Sequence, residues 1–152
     1  MQIFTHESDV RLARPLDEVF PFFAEAQNLE RLTPPWLQFQ VLSPQPVEMR
    51  VGAVIDYRLR VHGIPLRWRS EIVCWEPPHR FIDEQTRGPY RRWVHEHRFH
   101  EEDGAVVASD RVEYAVPGGA LVNWLFVKRD MERIFAYRRA KLQRLFGQPS
   151  GS

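Results

Sequence analysis

The dipeptide Asp103-Gly104 separates two long runs, 91–102 and 105–116, in which polar and apolar residues alternate. Asp and Gly both tolerate the positive φ angles of a two-residue type I′ turn, so the pattern predicts a β-hairpin. A two-residue loop also sets the register, because paired residue numbers must sum to 207. Trp93 then faces Tyr114, His95 faces Val112, His97 faces Asp110 and Phe99 faces Ala108. The other face pairs Glu96 with Arg111 and Arg98 with Ser109, a solvent-facing set. A slip of one residue would exchange the two faces, and the alternation agrees with only one of them being inside. At ~3.4 Å per residue each strand spans about 40 Å, long enough that the pair must twist and curve.

A second element of matching length follows. After Pro117-Gly118-Gly119 the chain has no Pro or Gly until Gly147, which predicts one uninterrupted helix over 119–146, about 40 Å long. Trp124, Val127, Met131, Ile134, Phe135, Leu142 and Leu145 fall in one arc of it, and Arg138 sits at the centre of that arc. Val122 and Phe126 point away from the stripe and mark either a homodimer contact or packing against the preceding loops.

Upstream, 3–12 alternates as a first strand with Phe4, His6, Ser8, Val10 and Leu12 on one face. Arg14-Pro15 opens a short helix carrying Leu16, Val19, Phe20 and Phe23, in which Pro21 forces either a later start or a kink. A second short helix, 28–32, stops at Pro34-Pro35. Strands are expected at 37–42, 54–61, 66–75 and 80–86, with a turn at 62–65 and with Leu66, Trp68, Ser70, Ile72 and Cys74 sharing one face. Together these elements make an α+β architecture in one domain over 1–147, with 148–152 as a disordered tail.

The order of one strand, two short helices, six strands and a long C-terminal helix resembles the helix-grip fold of the START-like (SRPBCC) superfamily. That superfamily includes Bet v 1-like and polyketide cyclase/dehydrase-like proteins. The run Asn28-Leu29-Glu30-Arg31-Leu32-Thr33-Pro34, then Gly63-Ile64-Pro65, Trp68, Pro77-Pro78-His79-Arg80-Phe81, Asp83 and Gly88-Pro89, is similar to a bacterial ligand-binding subgroup. Trp93, His95, Phe99 and Asp110 continue the match. The resemblance implies a curved seven-stranded antiparallel sheet wrapped around the C-terminal helix, with a cavity between them.

Strand parity supplies the expected lining of that cavity. Tyr57, Leu59, Trp68 and Ile72 come from the middle strands, and Phe81, Asp83 and Gln85 from the next. The hairpin adds Trp93, His95, His97, Asp110 and Tyr114, and the helix adds Met131, Phe135 and Arg138. Mostly apolar walls with a few convergent polar groups suit a small molecule. Burying about 300 Å² of apolar ligand surface contributes roughly 7 kcal/mol before association costs. A micromolar complex needs about 8 kcal/mol net, so the inward polar groups must add affinity and orientation.

His97 opposite Asp110 is open to two uses: a hydrogen-bonded pair that stabilises a polar stretch of sheet, or a general acid–base pair. His95 and His97, two apart on a strand, also project to one side, and Asp83 or Asp110 would complete a metal set; without a cysteine among them, no metal or other cofactor is expected. Arg138 has three uses: pairing with Asp83 or Asp110, binding a ligand anion, or reaching out of the groove.

Three function classes follow. The first is binding or carriage of a small amphipathic or hydrophobic molecule. The second is a cyclase/aromatase-type enzyme in which His97 and Asp110 form the acid–base pair and Tyr114 or Arg138 polarises a carbonyl. The third is an interaction module using the basic helix face of Lys128, Arg129, Arg133, Arg139, Lys141 and Arg144. A formal net charge of +1 gives no reason to expect a nucleic-acid partner. One cysteine, Cys74, excludes an internal disulfide and suits a cytoplasmic setting, and no stretch is apolar over the length needed for integral membrane contact.

Overall fold

The computed structural model describes residues 1–149. The last three positions of the expected disordered tail lie outside the described residues; within it, the Gln148 amide donates to Gln143 Oε1 at 2.8 Å. Strand β1 (Phe4–Leu12) leads into helix α1 (Leu16–Phe23), a 3-10 turn (Ala26–Asn28) and helix α2 (Leu29–Leu32). Six strands follow: β2 (Gln40–Val41), β3 (Val54–Val61), β4 (Ile64–Glu76), β5 (Arg80–Arg87), β6 (Arg92–Glu102) and β7 (Ala105–Ala115). All seven form one antiparallel sheet in the order β1-β7-β6-β5-β4-β3-β2. The chain ends in helices α3 (Gly119–Val122) and α4 (Lys128–Phe146), joined by a π-helical turn (Asn123–Val127).

The hairpin register is the one the two-residue loop requires, from Glu102 opposite Ala105 to Arg92 opposite Ala115. Asp103 and Gly104 take φ of 51° and 79°, the left-handed pair that joins right-twisted strands. His62 and Gly63 repeat this turn between β3 and β4, with φ of 50° and 80°. The turn is therefore two residues and not four, and Ile64 and Pro65 belong to β4, opposite Val61 and Arg60.

Three other expectations are corrected. The strand expected over 37–42 shrinks to Gln40–Val41, because a 3-10 turn (Pro35–Leu37) and Gln38 at φ 46° occupy its start. A β-bulge between Ile72 and Cys74 puts Ile72 opposite Asp83 but Cys74 opposite Ile82, so Cys74 leaves the inner face and Trp75 enters it. Trp75 packs on Phe20 and Phe81, with ring centroids 5.5 Å and 5.4 Å away. The third correction is in the C-terminal helix. The π turn accommodates one more residue than an α turn, which rotates the upstream face. Asn123 is buried and receives a hydrogen bond from the Tyr114 hydroxyl at 2.7 Å, while Trp124, expected in the stripe, is exposed. Val122, expected outside it, packs against the buried cluster of Val112, Tyr114, Val116, Met131 and Phe135.

Pro21 stays inside α1, which begins at Leu16 and ends two residues after it. Its missing N–H falls on the exposed side, while Leu16, Val19, Phe20 and Phe23 are buried. Phe20 meets Phe99 edge-on at 5.4 Å, and with Leu12, Val106 and Leu142 they fill one end of the sheet's inner face. Val112, Tyr114, Met131 and Phe135 fill the other. Arg139 on α4 donates to Ser8 Oγ at 2.7 Å, tying the helix to β1.

Candidate binding site

Between the two apolar ends lies a cluster that hydrophobic packing alone does not explain. β6 alternation puts His95 and His97 on the inner face, and register sets Asp83 of β5 opposite His95 and Asp110 of β7 opposite His97. α4 brings Arg138 down onto them, with 7% of its surface exposed. The rings of His95 and His97 stack at 3.7 Å, and His97 stacks on Phe81 at 4.0 Å.

Side chains on a strand lean along it, and here the lean makes the bonds diagonal. His97 Nε2 donates to Asp83 Oδ2 at 2.7 Å, and His95 Nε2 donates to Asp110 Oδ1 at 2.8 Å. The direct His97–Asp110 pair is therefore no hydrogen bond: Nδ1 stands 3.5 Å from Oδ1. Arg138 grips Asp110 with both arms, Nε to Oδ2 at 3.1 Å and Nη2 to Oδ1 at 3.1 Å. Its Nη2 also lies 3.4 Å from His97 Nδ1.

These contacts assign the protons. Asp83 accepts from His97 Nε2, so Nδ1 is left to accept from Arg138. A charged imidazolium would turn Nδ1–H toward the guanidinium, donor against donor. Burial first, then the neighbouring His95, lowers the His97 pKa to about 4, against the opposing pull of Asp83 and Asp110. Burial pushes the Asp110 carboxyl up, but Arg138, His95 and His97 overcome it and hold it well below the usual carboxylate range. Asp83 is also lowered, by His97, His95 and Arg138 working against burial.

Above this cluster a pocket of about 510 Å³ opens between sheet and helix. Its floor is Asp83, His95, His97 and Arg138, with Ser70 beside them. Trp68, Tyr90 and Trp93 form one wall, with Trp68 and Trp93 edge-to-face at 5.0 Å. Met131, Ile134 and Phe135 form the helix wall, and Leu29, Leu32 and Leu37 close over the top. At the rim, His62 Nε2 and Asp130 Oδ2 meet at 2.8 Å, and the Arg133 guanidinium lies over the Trp36 ring at 5.2 Å. A wider groove of about 880 Å³ runs outside β2 and β3, but its lining interleaves Glu30, Arg58, Arg60 and Arg67 with apolar residues and includes none of the buried cluster.

Of the residues expected to line a cavity, Tyr57, Leu59, Trp68, Asp83, Trp93, His95, His97, Met131, Phe135 and Arg138 border this pocket. Ile72 and Phe81 lie instead in the core with Phe20 and Phe99. Gln85 is a buttress: its Nε2 donates to Tyr90 O at 2.7 Å and its Oε1 accepts from Tyr90 N at 3.1 Å, holding that ring in the wall. Asp110 stands behind His95 and Arg138, and the Tyr114 hydroxyl is committed to Asn123. Strand parity had no access to Trp36, Tyr90, Ile134 and the α2 leucines, which reach the pocket from loops and helices. The Tyr90 ring sits just after Gly88-Pro89, where aromatic type was the only signal.

Asp83, His95 and His97 place ligating atoms within 4.8 Å of one another. Holding an ion there would require breaking the two histidine–carboxylate bonds and seating a cation beside Arg138.

A family model described as polyketide cyclase / dehydrase and lipid transport matches residues 12–136. No curated protein matches the sequence. Among solved structures, the chain is similar to the Zhui aromatase/cyclase from Streptomyces sp. R1128, at 15% identity over 99% of each chain with a TM-score of 0.74. It is similar at the same identity and TM-score to protein CV1439 from Chromobacterium violaceum, over 96% of this chain and 99% of that one. Major latex-like protein 151 from Panax ginseng matches at 16% identity over 86% and 96%, with a TM-score of 0.58. At such identities these likenesses establish the helix-grip fold.

Proposed function

The chain belongs to the polyketide cyclase / dehydrase and lipid transport family, and from that membership and the pocket's geometry we propose that it binds a small amphipathic, ring-containing molecule between sheet and helix. The observation that carries this reading is an aromatic-walled pocket of about 510 Å³ standing on a buried polar floor. That volume falls in the range that encloses ligands of drug-like size. Trp68, Tyr90 and Trp93 favour a flat ring, since aromatic pairs gain from stacked and edge-on contact beyond simple burial. Asp83 Oδ1 and Arg138 Nη1 stand outside the cluster's own bonds. They offer an acceptor and a donor to a hydroxyl or carbonyl at the ligand's polar end.

Binding is better supported than acid–base turnover. Both His97 nitrogens are engaged, one by Asp83 and one by Arg138, so the ring has no lone pair to offer a substrate. Its pKa of about 4 also lies far from that of an effective general base at neutral pH. Asp110 and Tyr114, the other members of the expected catalytic set, do not border the pocket.

Native mass spectrometry of freshly purified protein tests the reading by showing whether a small molecule travels with it. Titration with 1-anilinonaphthalene-8-sulfonate gives a second readout. Folded wild-type protein binds the dye, and Trp93→Ala weakens the complex about tenfold, the loss of one ring contact. No bound molecule, and dye affinity unchanged in Trp93→Ala, would refute the pocket as a binding site.

A further inference from the structure

The segment from Pro117 to Val127 contains no charged residue, in a chain of which 27% is charged. It leaves β7 through Gly118 and Gly119, at φ 88° and 57°. A Cβ at Gly118 would approach Val122 Cγ2 to 2.2 Å, so the tight elbow depends on glycine there. The π turn then faces Asn123 inward and leaves the three residues after it outside, as Leu121 is before it. Leu121 is 64% exposed, Trp124 72%, Leu125 47% and Phe126 56%. Four of the eleven exposed large apolar side chains among the described residues thus fall within six consecutive positions. Apolar patches of this kind on a protein surface mark contacts with something else.

The charge that follows identifies the occupant. Lys128 and Arg129, both exposed, come next, and neither makes an ion pair among the described residues. The nearest acid, Asp130, is held by His62. Exposed Leu, Trp and Phe beside unpaired Lys and Arg is the composition that settles at a lipid–water interface. A two-fold contact with a second copy would instead bring Lys128 and Arg129 toward their own equivalents, with no acid between 117 and 129 to receive them. No helix among the described residues is long and apolar enough to cross a membrane, so such an element lies on a bilayer and does not span it.

We propose that the elbow of residues 117–127, with Lys128 and Arg129, docks the protein on the surface of an anionic lipid bilayer beside the rim of the pocket. Val122 and Val127 of the elbow pack against the same buried cluster as Tyr90 of the pocket wall, and Asp130 and His62 of the rim lie one step further along. Docking there sets the pocket next to the bilayer without requiring that the pocket be filled, so it stands apart from the ligand reading.

Flotation with vesicles of phosphatidylcholine, with and without phosphatidylglycerol, tests the proposal. The wild-type protein floats with the phosphatidylglycerol vesicles and is released by salt, and its tryptophan emission shifts to the blue. Trp124→Ser with Leu125→Ser, an exposed pair whose loss leaves the fold intact by circular dichroism, abolishes flotation. Lys128→Ala with Arg129→Ala lowers the partition coefficient about thirtyfold. Three results would overturn the proposal: a folded wild-type protein that floats with neither vesicle; equal flotation with both and no response to salt; or a dimer in sedimentation velocity that Trp124→Ser with Leu125→Ser disperses, which would assign the patch to a second copy.

Discussion

Replacing Arg138 by Met probes the polar cluster at its centre. The methionine keeps most of the aliphatic stem but removes the guanidinium that holds both oxygens of Asp110. Asp110 is then buried with His95 as its remaining hydrogen-bond donor. Breaking a buried ion pair by removing one partner costs about 3–5 kcal/mol, because the other charge is left without compensation. At roughly 2–4 °C per kcal/mol for a chain of this size, the midpoint should fall by about 10 °C. Urea denaturation at pH 7 measures the free energy directly. Losing Arg138 also removes the largest effect lowering the Asp110 pKa, so the Arg138→Met protein should lose stability at a higher pH than wild type on acidification. Pairing the change with Asp110→Asn removes both charges, and the double variant should recover about 2 kcal/mol or more relative to additivity. A single Arg138→Met variant within about 1 kcal/mol of wild type would refute the ion pair as the reason for Arg138's position.

The pH dependence of wild-type stability has a definite sign. His97 is lowered from 6.5 to about 4 by folding, so the unfolded chain takes up the proton first and stability falls as pH drops from about 6.5 toward 4. The full loss is about 3 kcal/mol, and His6, also lowered, adds in the same direction. His97→Gln should flatten this limb in urea titrations; an unchanged limb would sink the assignment. Asn123→Ala should cost about 1–3 kcal/mol by leaving the buried Tyr114 hydroxyl without its acceptor. A cost no larger than that of an exposed helix substitution would mean the hydroxyl has found water.

The sheet was legible wherever two local signals agreed. At Asp103-Gly104, turn chemistry and alternation both set the parity of Trp93, His95, His97 and Tyr114, and every pair stands as read. At Cys74 alternation stood alone, and a bulge reversed it. Helical periodicity also assumes an unbroken period, and the π turn at Asn123 violates that assumption. Periodicity puts Trp124 in the stripe, because nothing in residue type distinguishes an aromatic inside a stripe from one that an extra residue turns outward. The site was legible as a set of residues but not as a set of bonds. Register places His97 opposite Asp110, yet the lean of the side chains decides that Asp83 accepts its hydrogen bond. The roof supplied by α2 and Trp36 depends on long-range packing that no periodicity encodes.

The bulge at Val73 lets one strand put both Ile72 and Trp75 into the same core. On its inner face Trp68 and Ser70 address the pocket, while Ile72 before the bulge and Trp75 after it both address the α1 core. Because Val73 is the extra residue, its deletion would leave a regular ladder with Cys74 still opposite Ile82 and Trp75 still opposite Phe81. Pairing the full-length strand without the bulge would instead set Cys74 opposite Phe81 and turn Trp75 to solvent.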